Sequence, residues 1–143
     1  MSRTGGCLCG AVRYTVNGPL RDVLVCHCVE CRRWAGCAWA ATAAQREHLS
    51  LDETRGLRWA LSPRSDAGAR RGVCDACGSS LFWDAPGRPT LSIGVGTLDD
   101  AHGLELAGHV YVSQAQLWQY PGEGDACFLE SYPPDAPPPN WHP

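Results

Sequence analysis

The chain has 143 residues, 44% hydrophobic and 19% charged, a balance that provides one globular core and leaves no room for a second full domain. Its net charge of −3, without a run of basic residues, argues against a nucleic-acid partner, and no apolar stretch reaches the length of a membrane span. Nine cysteines behind a start, Met1 to Gly6, with no apolar leader lead us to expect a cytoplasmic protein whose thiols stay reduced and bind metal rather than pair as disulfides.

Val12, Tyr14 and Val16 alternate with Arg13 and Thr15, the period of a half-buried strand, and Asn17-Gly18-Pro19 closes it. Val23-Leu24-Val25 is the next strand and runs into Cys26. A short helix over residues 30–35 ends at Gly36, and a strand follows from Cys37 to Thr42. Arg46 to His48 reads as one helical turn, Leu49 to Leu51 and Gly56 to Leu61 as strands, and Ser62 to Gly68 as a loop. Arg70 to Val73 leads into Cys74, and further strands are predicted over 80–84, 90–95 and 104–112. These short, evenly punctuated strands predict a mainly β domain over residues 1–120. Residues 121–143 hold seven of the eleven prolines and read as an extended or loosely packed tail, from which Cys127, Phe128, Tyr132 and Trp141 could dock.

Cys7-Leu8-Cys9-Gly10 and Cys74-Asp75-Ala76-Cys77-Gly78 each place two thiolates where they can chelate one cation, followed by a glycine that accepts the positive φ of a metal knuckle. Together the pairs fill the tetrahedral shell of a structural zinc. Cys26-His27-Cys28-Val29-Glu30-Cys31 differs, because three cysteines crowd one turn and no second pair remains. Cys37 or Cys127 could supply a fourth ligand; otherwise the site keeps an open position. Three thiolates leave a bound Zn²⁺ with a formal charge of about −1, which weakens it for activating water and suits it to a fourth sulfur. The expected substrate is therefore a small thiol. All twelve basic residues are arginines, so an aldehyde cannot be held as a lysine Schiff base.

His27, between the ligands, is a candidate hydrogen bonder or proton shuttle. Arg32 and Arg33 are candidates to offset the site's charge or to bind a substrate carboxylate. His109 lies in the apolar run from Leu106 to Val112, where a hydrogen-bonded core histidine is the usual explanation.

The segments Gly6 to Val12, Cys26 to Arg33 and Cys74 to Trp83, followed by Gly96-Thr97-Leu98-Asp99 and His109 to Val112, resemble the glutathione-dependent formaldehyde-activating family, the GFA or CENP-V/GFA domain. The resemblance spans about Gly5 to Trp118. It implies an Mss4-like fold of small antiparallel β-sheets with short helices, pinned by a structural zinc on Cys7, Cys9, Cys74 and Cys77. It also implies a catalytic zinc on Cys26, Cys28 and Cys31, making two per chain. The implied reaction joins glutathione or a similar thiol to formaldehyde or a related aldehyde, a carbon–sulfur lyase reaction when reversed. For such a reaction the residues themselves offer His27 as the catalytic candidate and Arg32, Arg33 and His109 as substrate-binding candidates. A homodimer is compatible with this reading. A thiol carrier or Mss4-like chaperone module is the alternative, because thiols add to formaldehyde unaided.

Overall fold

The computed structural model describes residues 1–143. The strands in chain order are β1 (Arg3–Gly6), β2 (Arg13–Val16), β3 (Leu20–Arg21), β4 (Val23–Cys26), β5 (Trp39–Gln45) and β6 (Leu49–Glu53). There follow β7 (Leu57–Leu61), β8 (Arg70–Cys74), β9 (Ser80–Asp84), β10 (Thr90–Gly94), β11 (Leu106–Val110) and β12 (Trp141–His142). The single α-helix, α1 (Val29–Ala35), joins β4 to β5. The protein is thus mainly β, as its sequence predicts. No helix is long and apolar enough to cross a membrane.

A three-stranded antiparallel sheet, β1-β2-β6, packs on a larger one in the order β11-β4-β5-β10-β9-β8-β7. One pairing in the large sheet, β11 with β4, is parallel, with His109 beside Val25 and Val110 beside Cys26. The strand β5 reads Trp-Ala-Ala-Thr-Ala-Ala-Gln because it is covered on both faces, so small residues are what fit. On one face Ala44 joins a core built from Val12, Tyr14, Val16, Leu20, Phe82 and Ile93. On the other, Trp39 and Ala41 pack with Cys31, Trp34 and Trp83.

Tyr14 and Phe82 meet edge to face at 5.3 Å and are both fully buried at the centre of the first core. Truncating Phe82 to alanine is expected to cost about 3–5 kcal/mol in a denaturant titration, from lost burial plus the cavity left behind.

The sequence reading omits β1, β3 and β12, of which β3 and β12 have only two residues and no period to detect. Residues 121–143 are extended but docked. His142 pairs with Leu20 and its Nε2 meets Asp22 Oδ1 at 2.7 Å, while Asn140 accepts from the Asp22 N–H. Farther back, His109 N donates to Ala126 O at 2.8 Å, Phe128 N to His109 O at 2.9 Å and Tyr111 N to Glu130 O at 2.8 Å. A proline-rich segment that cannot form a full ladder still borrows main-chain partners from the sheet edge.

Candidate metal centres

Cys7 and Cys9 come from the turn after β1, Cys74 from the end of β8 and Cys77 from the turn before β9. All four Sγ atoms lie within 4.8 Å of one another, with 3.7 Å from Cys7 to Cys9 and 3.8 Å from Cys9 to Cys74. Four sulfurs at the Zn–S length of about 2.3 Å in a tetrahedron stand about 3.8 Å apart, so the residues fit the ion. The turns have the form that the glycines predict. Gly10 and Gly78 take φ of +82° and +79°, and Val12 N donates to Cys7 Sγ at 3.2 Å. Ser79 ties the two knuckles together, its Oγ accepting from Leu8 N at 3.0 Å and lying 3.2 Å from Cys77 Sγ. Cys7 and Cys74 are buried against the first core, so this cluster joins the small sheet to the large one.

The second cluster lies on the opposite face of the large sheet. Cys26 ends β4, Cys28 is the N-cap of α1 with its sulfur accepting from Cys31 N at 3.3 Å, and Cys31 is buried in the first turn. The C-terminus of α1 is fixed by Gly36 at φ +84°. These three Sγ atoms also lie within 4.8 Å of one another, and neither Cys37 nor Cys127 joins them; both are exposed. Crowding sets the thiols against each other. Cys28 is held far below the usual thiol range by hydrogen bonds from Cys26 and Cys31, whereas Cys26 is pushed far above it by Cys28 and Cys31 and then by burial. A cation bound among them would let all three ionise together.

Arg71, unremarked in the sequence, supplies a positive charge to this cluster. Its Nη1 lies 3.6 Å from Cys31 Sγ, Nη2 is 3.5 Å from Glu30, Nε donates to Ser62 Oγ at 3.1 Å, and the guanidinium lies over Trp34 at 5.0 Å. The three cysteines open onto a cavity of about 620 Å³ whose floor is the face of the large sheet, with Leu24, Ala41, Ser92, Trp83 and Arg71 taken from five successive strands. Arg21, Arg64, Arg88 and Tyr111 line its sides, and Ser131 and Tyr132 close it from the tail. A cavity of this size accommodates a small peptide.

Arg32 and Arg33 are not among the lining residues. They follow Cys31 in sequence, but each helical residue turns about 100°, which carries them away from the face that presents the sulfur. His27 and His109 also stand off the cavity, both buried. They form a chain in which His27 Nε2 meets His109 Nδ1 at 2.9 Å and His109 Nε2 meets Asp125 Oδ2 at 3.0 Å. An ionised carboxylate only accepts, so a neutral His109 carries its hydrogen on Nε2 and accepts at Nδ1 a hydrogen bond donated by His27 Nε2–H, which leaves the lone pair of His27 on Nδ1. Desolvation, and then the charge that His109 carries when protonated, hold His27 below the usual imidazole range, so it stays neutral at pH 7. Asp125 belongs to the tail, and no motif in the sequence links it to His27.

A family model described as "Glutathione-dependent formaldehyde-activating enzyme", GFA, matches residues 2–114. The chain belongs to the GFA family. Membership assigns it in general terms to glutathione-dependent formaldehyde activation, and the two cysteine clusters are compatible with zinc. Asp125, Ser131 and Tyr132 lie beyond the stretch that the GFA model matches. The fold is also similar to a crystal structure of a Rhodobacter sphaeroides protein, at 21% identity and a TM-score of 0.57, over 72% of this chain and 98% of that one. A comparison with curated proteins returned no match.

Proposed function

We propose that the protein is a zinc-dependent carbon–sulfur lyase of the S-hydroxymethylglutathione synthase type, joining a glutathione-like thiol to formaldehyde or a related aldehyde and reversing the step. The observation that carries this reading is a three-cysteine cluster, without a fourth protein sulfur, at the wall of a peptide-sized cavity. Residues 1–120 form the catalytic domain, and residues 121–143 are an appended segment that completes its cavity wall.

Cys26, Cys28 and Cys31 would hold one zinc and Cys7, Cys9, Cys74 and Cys77 a second, structural one. A zinc on the three-cysteine site supplies a soft position that keeps a thiol deprotonated near pH 7. In the reaction the substrate thiol gives its proton to water, its sulfur donates an electron pair to the aldehyde carbon, the C–S bond forms, and the C=O π pair moves onto oxygen, which takes a proton back from water. Arg71, beside Cys31 Sγ, offsets the excess negative charge of three thiolates.

Tyr111 serves as hydrogen-bond donor to the developing alkoxide. It lines the cavity with its backbone in the left-handed region at φ +54°, a conformation that costs a non-glycine residue about 1–3 kcal/mol and is retained where surroundings impose it. Burial, and then the charges of Cys26 and Cys28, keep its phenol protonated. His27, off the cavity, holds the Cys26–Cys28 turn in place. Tyr111→Phe is expected to lower kcat by about 10²-fold with a smaller change in KM, as for loss of one oxyanion donor, in a steady-state assay of adduct formation.

A second reading, a thiol carrier without catalysis, draws support from the position of His27 away from the cavity. The rate of thiol–aldehyde adduct formation and breakdown separates the two. Acceleration well above the uncatalysed rate is expected, and none at all would leave the carrier.

A further inference from the structure

We propose that Arg21 and Arg88 form a carboxylate-binding subsite beside the three cysteines, and that this subsite selects peptide thiols with a free carboxylate over neutral thiols. The inference rests on the thiol-binding reading above and names the residues that choose the thiol.

Both side chains line the cavity that the cysteines open onto. Elsewhere the arginines near acids are paired: Arg13 with Asp99, Arg46 and Arg70 with Asp84, Arg71 with Glu30. No carboxylate lies within ion-pair distance of Arg21 or Arg88, although Arg21 is half-buried. Two carbonyls fix the Arg21 guanidinium, Nε donating to Asp22 O and Nη2 to Ala41 O, each at 3.0 Å. Arg88 lies over the ring of Trp83 at 5.1 Å, and Trp83 is itself part of the cavity floor. Burial, and then the positive charge of Arg88, push Arg21 down to about 10. Two guanidiniums held near each other without an acid between them are relieved by an anion, and their fork geometry fits a carboxylate.

The spacing suits one molecule that also reaches the sulfurs. Ala41, whose carbonyl holds Arg21, lies two residues along β5 from Trp39, the partner of Cys26. Two strand residues span about 7 Å. A peptide thiol carries its terminal carboxylate one to two residues from the sulfur, about 3.5–7 Å when extended. A thiol lacking that carboxylate fills the sulfur position and leaves the arginines unpaired.

The test is calorimetric binding of glutathione and of its dicarboxylate diester to the zinc-loaded protein at 0.15 M salt, in wild type and in Arg88→Gln. Arg88 is exposed, so its replacement leaves the fold intact. Wild type is expected to bind glutathione at least about tenfold more tightly than the diester, and Arg88→Gln to reduce that preference severalfold with diester affinity unchanged. Equal affinities in wild type, a preference that Arg88→Gln leaves intact, or no binding of either probe overturns the subsite. If the preference vanishes in Arg88→Gln while no adduct formation is accelerated, the subsite stands and the lyase reading falls. Acceleration with an unchanged preference removes the subsite and leaves the lyase reading standing.

Discussion

Cys74→Ala is expected to unfold the protein. Cys74 is fully buried, and its sulfur shares a cluster with Cys7, Cys9 and Cys77 that joins two sheets through turns far apart in the chain. Structural zinc contributes roughly 10–16 kcal/mol of apparent binding free energy in zinc-finger peptides, as much as the roughly 5–15 kcal/mol that stabilises a whole domain. Three remaining cysteines cannot close the shell, and β1 loses its tie to β8. Circular dichroism should show loss of the cooperative thermal transition, and metal analysis the loss of bound zinc. A folded Cys74→Ala with wild-type stability would contradict the structural role.

The companion variant, Cys28→Ala, should behave in the opposite way. Its sulfur is one of three at the cavity wall and also caps α1, so the local cost is about 1 kcal/mol for the lost cap. The sheets and the first core do not depend on it. Zinc content should fall from two per chain to one, the melting transition should persist, and activity should drop by more than the 10–100-fold typical of residues that only support a metal ligand. Equal loss of structure in both variants would remove the distinction between the two sites.

The cysteine grouping was legible in the sequence because chelation is a local geometry. Pairs at two or three residues' spacing with a following glycine can be read without knowing the fold, and both clusters have the composition that spacing suggested. Strands with clear alternation, such as Arg13–Val16 and Ser80–Asp84, were legible for the same reason. The cavity was not. Its arginines come from β3, β8 and the loops before β8 and β10, and only sheet register brings Arg71, Trp83 and Ser92 side by side. Arg32 and Arg33 drew attention by adjacency to Cys31, a nearness along the chain that the helix converts into separation in space. The chain from Asp125 through His109 to His27 rests on the docking of the tail against β11, which proline content alone did not reveal.

The two clusters differ in how much chain each needs before it exists, and this bears on the protein's synthesis. Cys26, Cys28 and Cys31 lie within one turn and a helix start, whereas Cys7 and Cys9 must wait for Cys77. At about 5–20 residues per second, the nascent chain carries Cys7, Cys9, Cys26, Cys28, Cys31 and Cys37 for several seconds before Cys74 and Cys77 follow. During that interval the local triad has all its sulfurs, whereas the first pair lacks half of its cluster. The centre that joins the two sheets is therefore the later of the two to be complete on the growing chain.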